Sequence, residues 1–225
     1  MLRLASACGT RRLQPHQFGV DRSVWTGQFD GDLTAAIDRA EAFYRGRGLS
    51  PRFQVSDLAE PAGLDAALAE RGYRRELDCS DMAKVATGIP VPAGTSLAGD
   101  VTADWLDLYR GEQPPAKAAE LPPILAKLPA RRAFIVCRRE AAPAGVALVT
   151  RVGMDTAVDC VLTLPTFRRK GVARALMQGA EAWAAAEGVG RLVLSVIDDN
   201  AGAVALYRKL GYRKLAHYHY RVTTA

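Results

Sequence analysis

Three short stretches of this chain carry residue types that could do chemistry. The first is Arg168-Arg169-Lys170-Gly171, a basic glycine turn followed by Val172 and Ala173. It comes after an apolar, β-branched segment and Pro165, and a strong helical pattern begins at Gly171. A strand, a basic glycine turn and a helix, in that order, suit a phosphorylated ligand. The start of a helix offers unpaired backbone N–H groups and the positive end of the helix dipole. Gly171 removes the Cβ that would keep an anion off the backbone. The second and third are Asn200 and Tyr207, seven residues apart and so two helical turns apart on one face.

The elements that must position these residues can be read from apolar spacing. Val172, Ala175, Leu176, Gly179, Trp183 and Ala186 recur at intervals of three and four, predicting a helix from about Gly171 to Glu187. Leu192 to Val196 reads as a strand buried on both faces. Asp198, Asp199 and Asn200 offer N-cap chemistry for a helix carrying Ala203, Leu206, Tyr207 and Leu210, closed by Gly211. Tyr212 to Val222 then gives one or two strands, with Tyr218, Tyr220 and Val222 expected on the face opposite His217, His219 and Arg221. Upstream, Ala133–Arg138, Val146–Arg151 and Ala157–Leu164 form an antiparallel meander. Helices are expected at Thr102–Tyr109, with Thr102 as N-cap, and at about Ala116–Leu128, interrupted by Pro122 and Pro123.

In the first half, Leu33 to Tyr44 is helical, Phe53–Val55 a short strand, and Pro61–Arg71 a second helix capped by Gly72. Tyr73 to Val85 is one strand or two, and Leu2, Leu4 and Leu13 hint at an edge strand. Ala86 to Asp100, with three glycines and two prolines, reads as a linker or an edge strand. The expected division is therefore a small α/β unit over 1–90 and a larger domain over 96–225. LAERGYRR (68–75) and YRKLGYRK (207–214) are near-copies. Either both are a common helix-to-strand junction, or residues 1–90 are a shortened, altered copy of the later half.

Composition narrows the function. Of 30 Lys+Arg and 24 Asp+Glu, residues 1–95 hold 12 of each, so the +6 net charge lies in the half with the glycine turn. Aromatics are only 7% and there is no long Lys/Arg cluster, which argues against nucleic acid. No apolar run approaches the roughly 20 residues that cross a bilayer. The segment MLRLASACGTRR is too short in its apolar part for a secretory signal, so a cytoplasmic protein is expected. The four cysteines lack C-x-x-C spacing and there are three histidines, so no metal site is expected.

From about residue 96 to 222 the chain resembles the GNAT superfamily of acetyl-CoA-dependent N-acetyltransferases. Arg168-Arg169-Lys170-Gly171-Val172-Ala173 matches the family's R/Q-x-x-G-x-G/A loop, with Pro165 three residues before it. Asn200, Ala203, Leu206-Tyr207 and Gly211-Tyr212 match its downstream pattern. The resemblance implies an α/β (α+β) fold with a mixed, mostly antiparallel twisted sheet flanked by helices. It implies acetyl-CoA as cosubstrate, no metal, a primary amine as acceptor and a monomer or homodimer. Arg168 to Ala173 would cradle the pyrophosphate, and Leu162, Thr163 and Leu164 would pair with the pantetheine through their backbone. Asn200 would contact the coenzyme, and Tyr207 would protonate the departing thiolate. No base is assigned; Asp159 lies near where some relatives place a glutamate. The alternative function is a non-catalytic acyl-CoA sensor or interaction module.

Overall fold

The computed structural model describes residues 31–57 and 62–223; the edge strand expected around Leu2–Leu13 lies outside them. In chain order the elements are α1 (Leu33–Arg45), β1 (Arg52–Ser56), α2 (Leu64–Glu70), β2 (Arg74–Val85), β3 (Thr95–Ala98), α3 (Ala103–Gly111) and α4 (Pro115–Leu125). They continue with β4 (Arg132–Arg139), β5 (Ala142–Val152), β6 (Asp155–Thr163), α5 (Val172–Ala186), β7 (Arg191–Ile197), α6 (Ala201–Lys209) and β8 (Arg213–Val222). Thr102 caps α3 by accepting from the Trp105 N–H at 3.3 Å, as its position suggests. The helix α4 runs through Pro122 and Pro123 rather than breaking at them.

All eight strands form one sheet in the order β1-β8-β2-β7-β6-β5-β4-β3. Every neighbouring pair is antiparallel except β6–β7. The period-2 alternation of strand side chains sorts the helices onto two faces. Ala133, Ile135 and Cys137 of β4 pack with Val172, Leu176 and Ala180 of α5. Phe134 and Val136 point the other way, into a cluster with Trp105 of α3 and Leu121 of α4. Trp105 is fully buried, and its indole N–H donates to the Ala147 carbonyl at 2.8 Å, so its one polar atom is satisfied.

The expected boundary between the halves does not separate two sheets. β8 is hydrogen-bonded on one side to β1 and on the other to β2, and β2 also pairs with β7. The strands of residues 52–85 are therefore completed by a strand from the end of the chain. A third apolar cluster of Ile37, Val55, Leu64, Leu68 and Tyr73 belongs to the first half alone. The two halves are also joined through a buried ion pair. Glu181 of α5, 4% exposed, accepts from Lys84 Nζ at 2.7 Å and from the Thr87 N–H at 3.0 Å and hydroxyl at 2.6 Å.

The two near-identical phrases take the same backbone path. The Tyr73 N–H donates to the Leu68 carbonyl, and the Tyr212 N–H to that of Tyr207, both at 3.0 Å. Gly72 and Gly211 sit at φ +83° and +89°, the left-handed cap that lets a helix turn into a strand. β8 departs from its expected two-sided pattern, because His219 is buried along with Tyr218 and Tyr220. The reason is α2, which lies over that face: its Asp65 carboxylate accepts from Arg221 Nε at 2.7 Å and contacts His219 Nε2 at 2.6 Å. The Arg221 hydrogen bond above all holds the Asp65 carboxyl down at about 2.

Candidate active site

The site begins where two parallel strands part. β6 and β7 pair only from Asp155–Arg191 to Ala157–Val193. Beyond that point β6 runs on to Thr163 and β7 to Ile197 with no further pairing between them. A bulge bends β6: Val146 faces Leu162 while Leu148 faces Asp159, and Cys160 within the bulge has φ +53°. A bulge of this kind re-aims a strand. The result is a groove of about 1050 Å³ between the two strand ends.

One wall is β6, with Cys160, Leu162 and Thr163; the other is β7 and α6, with Leu194, Val196, Asn200 and Tyr207. At one end lie Arg168, Arg169, Gly171 and the first turn of α5, Val172, Ala173 and Arg174. Arg169 and Gly171 both have positive φ, +63° and +76°, and no side chain caps α5. Such a turn points backbone N–H groups into one concavity, with the helix dipole behind them. Arg174 and Lys209 add cations to the lining. These features at this end of the groove suit an anion.

Nine of the eleven residues expected from sequence line the groove: Leu162, Thr163, Arg168, Arg169, Gly171, Val172, Ala173, Asn200 and Tyr207. Leu164 and Lys170 do not. The Leu164 N–H is taken by the Ala144 carbonyl at 3.0 Å, which ties it to β5. The Lys170 ammonium lies over the Phe167 ring, 5.4 Å from its centroid. The Asn200 side chain is the N-cap of α6, accepting from the Ala203 N–H at 3.2 Å, while also facing the groove.

Tyr207 is 7% exposed. Burial first, and then the charge of Asp159, push its phenol up to about 12. It therefore carries its proton at any ordinary pH. Asp159 does not itself line the groove. Burial likewise pushes the Cys160 thiol far above its usual range, with the Asp159 charge adding to it. A thiol held protonated is a poor nucleophile, so among the described residues the groove offers a proton donor and no activated thiol.

Sequence reasoning missed Arg174, Lys209, Tyr109, Glu112 and Gln113, all in the lining. Arg174 had a legible signal, since it stands three residues after Gly171 in the first turn of α5. Tyr109, Glu112 and Gln113 come from the end of α3, and no local pattern links them to β6.

Gly145 holds the splayed strand close. A Cβ there would meet the Leu162 carbonyl oxygen and Val172 Cγ1 at 2.6 Å each, and Leu176 Cδ1 at 3.2 Å. None of these is the loose tip of a flexible chain. Gly145→Ala is expected to destabilise by about 1–3 kcal/mol, as overpacked core positions do, and to weaken binding in the groove because both β6 and α5 must shift. Thermal melting together with ligand titration checks this; an unchanged Tm would show that the strand and helix yield freely.

Residues 102–212 match the acetyltransferase (GNAT) family. The chain is 25% identical over 218 residues to the uncharacterized N-acetyltransferase YobR of Bacillus subtilis (strain 168), covering 91% of this chain and 87% of that protein. Among solved structures, a GCN5-related N-acetyltransferase from Kribbella flavida superposes with a TM-score of 0.66 at 22% identity, over 86% of this chain and 77% of that one. A tandem GNAT protein from the clavulanic acid biosynthesis pathway gives 0.64 at 15% identity, over 84% and 69%. The family match, with the N-acetyltransferase relative, supports an acyltransferase. The chain carries an acetyltransferase domain of the GNAT family over residues 102–212.

Proposed function

We propose that this protein transfers the acetyl group of acetyl-CoA to a primary amine, by direct attack within a ternary complex. The observation that carries the reading is the groove itself. It places an uncapped helix N-terminus with Arg168, Arg169 and Arg174 at one end and a protonated, buried phenol, Tyr207, in the wall. A diphosphate at one end and a thiolate leaving group farther along is the pattern those two features complement.

The groove's own atoms fit the coenzyme. Backbone N–H groups of the Arg169–Ala173 turn and the Arg168 side chain would hold the pyrophosphate. The free edge of β6 past Ala157 would pair with the pantetheine amides through Leu162 and Thr163, the way an added strand pairs with a sheet edge. Thr163 faces the groove and its buried hydroxyl has no hydrogen-bond partner among the described residues, a deficit a ligand amide would remove. Asn200 keeps its amide NH2 for the coenzyme while its carbonyl oxygen caps α6. The thioester supplies the activated acetyl carbonyl. Tyr207 holds a proton on its phenol oxygen and delivers it to the departing sulfur. Tyr109 and Glu112, from α3 and its end, also line the groove, and the acceptor would enter beside them.

The first half fits an altered copy of the later half. Its α2–Gly72–β2 junction repeats α6–Gly211–β8, with Leu68 where the later copy has Tyr207, so it would lack the acid.

The test is amine-dependent thiol release from acetyl-CoA over a panel of small amines and peptides. Turnover with at least one amine is expected. Acetyl-CoA binding by calorimetry with no turnover on any acceptor would replace the reading with that of a sensor. Arg168→Ala is expected to raise the KM for acetyl-CoA by roughly tenfold or more, the weight of one charge-assisted contact of about 1.5–3 kcal/mol, with kcat largely kept. An unchanged KM would move the pyrophosphate elsewhere.

A further inference from the structure

Away from the groove, the fold brings together residues that lie far apart in the chain. His217 and His219 of β8 share one face, and Asp78 of β2 stands beside them; one ligand-type atom from each lies within 4.8 Å of the others. His217 Nε2 is 3.1 Å from Asp78 Oδ1 and 3.5 Å from Oδ2 of Asp198, at the end of β7. Two ligands held on a zinc ion at about 2.0–2.2 Å each in a tetrahedron are separated by roughly 3.3 Å, so His217 stands at coordination spacing from both carboxylates, and His219, within 4.8 Å, would close in by a small side-chain adjustment.

The backbone explains how the cluster arises. The pairing of β2 with β8 shifts between Glu76 and Cys79, and Leu77 in that bulge has φ +52°. Two residues there face one on β8, and the bulge turns Asp78 onto the histidine face. His219 carries the carboxylate partner that a metal-bound imidazole usually has on its second nitrogen. It is 6% exposed, and its Nε2 lies 2.6 Å from Asp65 Oδ1, which also accepts from Arg221. A carboxylate on one ring nitrogen places the hydrogen there and leaves a lone pair on the other, Nδ1. Two carboxylates, Asp78 and Asp198, converge on His217, while Asp78 also accepts from Arg75 and Asp198 from the Ser80 hydroxyl, which hold them in place.

We propose that His217, His219 and Asp78, with Asp198 as a fourth oxygen donor, form a binding site for a divalent transition metal, zinc in the first place. Two imidazoles with one or two carboxylates suit zinc over magnesium or calcium, which take oxygen ligands alone. On binding, the metal takes the imidazole lone pairs, and any proton on a ligating nitrogen leaves to solvent. The ion would join β2 of the first half to β8 and the end of β7, two residues before Asn200. Its role is a staple beside the acyl-transfer groove, and it stands whether or not that groove takes acetyl-CoA.

The test uses the full chain, stripped with a chelator and dialysed. Zinc titrated by calorimetry should bind at one ion per chain, and excess zinc at about 100 times Kd should raise Tm by roughly 5–10 °C. Cobalt should give the intense visible absorption of a four- or five-coordinate site with nitrogen ligands, and magnesium should give no saturable signal. His217→Ala and Asp78→Asn, both at partly exposed positions, should each weaken zinc by at least tenfold. The absence of saturable zinc binding would overturn the proposal, as would a six-coordinate cobalt spectrum. So would zinc binding that is equal in the wild type and both variants, which would put the ion elsewhere.

Discussion

Replacing Tyr207 with phenylalanine is expected to lower kcat by about 10²- to 10⁴-fold, the range that a positioned general acid supplies, with the KM for acetyl-CoA little changed. The substitution removes one oxygen atom from a ring that is 7% exposed and packs 5.8 Å from the Tyr212 ring, so the fold should be kept. What is lost is the proton that the sulfur needs as its bond to the acetyl carbon breaks. The pH dependence separates this from a packing effect. With the phenol at about 12, raised by burial and Asp159, Tyr207 stays protonated across the working range. A wild-type loss of kcat from its ionisation therefore sets in only as pH climbs toward that value, and a limb near pH 7–9 must belong to another group or to the amine. Steady-state kinetics of both proteins from pH 6 to 10, with melting curves, read this out. If the phenylalanine variant keeps most of its kcat, Tyr207 is a packing residue and the proton comes from water or another side chain.

Glu181→Ala is the substitution expected to cost most in stability, about 3–5 kcal/mol, the usual penalty for leaving one member of a buried ion pair alone. The carboxylate holds three donors, Lys84 Nζ and the Thr87 N–H and hydroxyl, at 2.6–3.0 Å. Without it the Lys84 ammonium, 15% exposed at its side chain, has lost its ion-pair partner. A fall in Tm of roughly 6–20 °C is expected for a chain of this size. Replacing both partners with apolar residues of similar volume should recover most of the loss, because the cost lies in the stranded charge. The pH dependence has a definite sign. Burial pushes the Glu181 carboxyl up, but the Lys84 and Thr87 hydrogen bonds outweigh it and leave it lowered. A carboxyl lowered on folding contributes stability that is present above its unfolded pKa, about 4.3, and is lost as pH falls through the folded one. The alanine variant should therefore show a shallower acid limb in denaturant melts between pH 6 and 3. A loss under 1 kcal/mol would mean that Lys84 finds another partner or water.

Much of the site was legible because its determinants are local. A glycine after three cations, a helical stripe from Val172 to Ala186, an N-cap at Asn200 and a phenol two turns later all sit within a few residues of what they control. Caps, turns and apolar periods depend on neighbours in sequence, so a single chain displays them. The same holds for the Gly72 and Gly211 junctions, whose matching phrases fold into matching caps. Leu164 and Lys170, the two expected residues that do not line the groove, show the limit of local reading. Spacing put them in the motif, but the Ala144 carbonyl and the Phe167 ring claim them.

What the tertiary structure alone decided concerns which strands are neighbours. Alternation along a strand tells which side chains share a face, not which strand lies beside it. The parting of β6 from β7 after Ala157 follows from a bulge at Cys160 and from pairing partners more than thirty residues away. The insertion of β8 between β1 and β2 joins halves that composition sets apart. The same pairing turns three scattered residues, Asp78, His217 and His219, into one cluster. By itself, the sequence determined the basic glycine turn, the helix behind it and the phenol, since each is written in a single stretch. The groove between them and the histidine–aspartate cluster exist only once strands distant in the chain are hydrogen-bonded side by side.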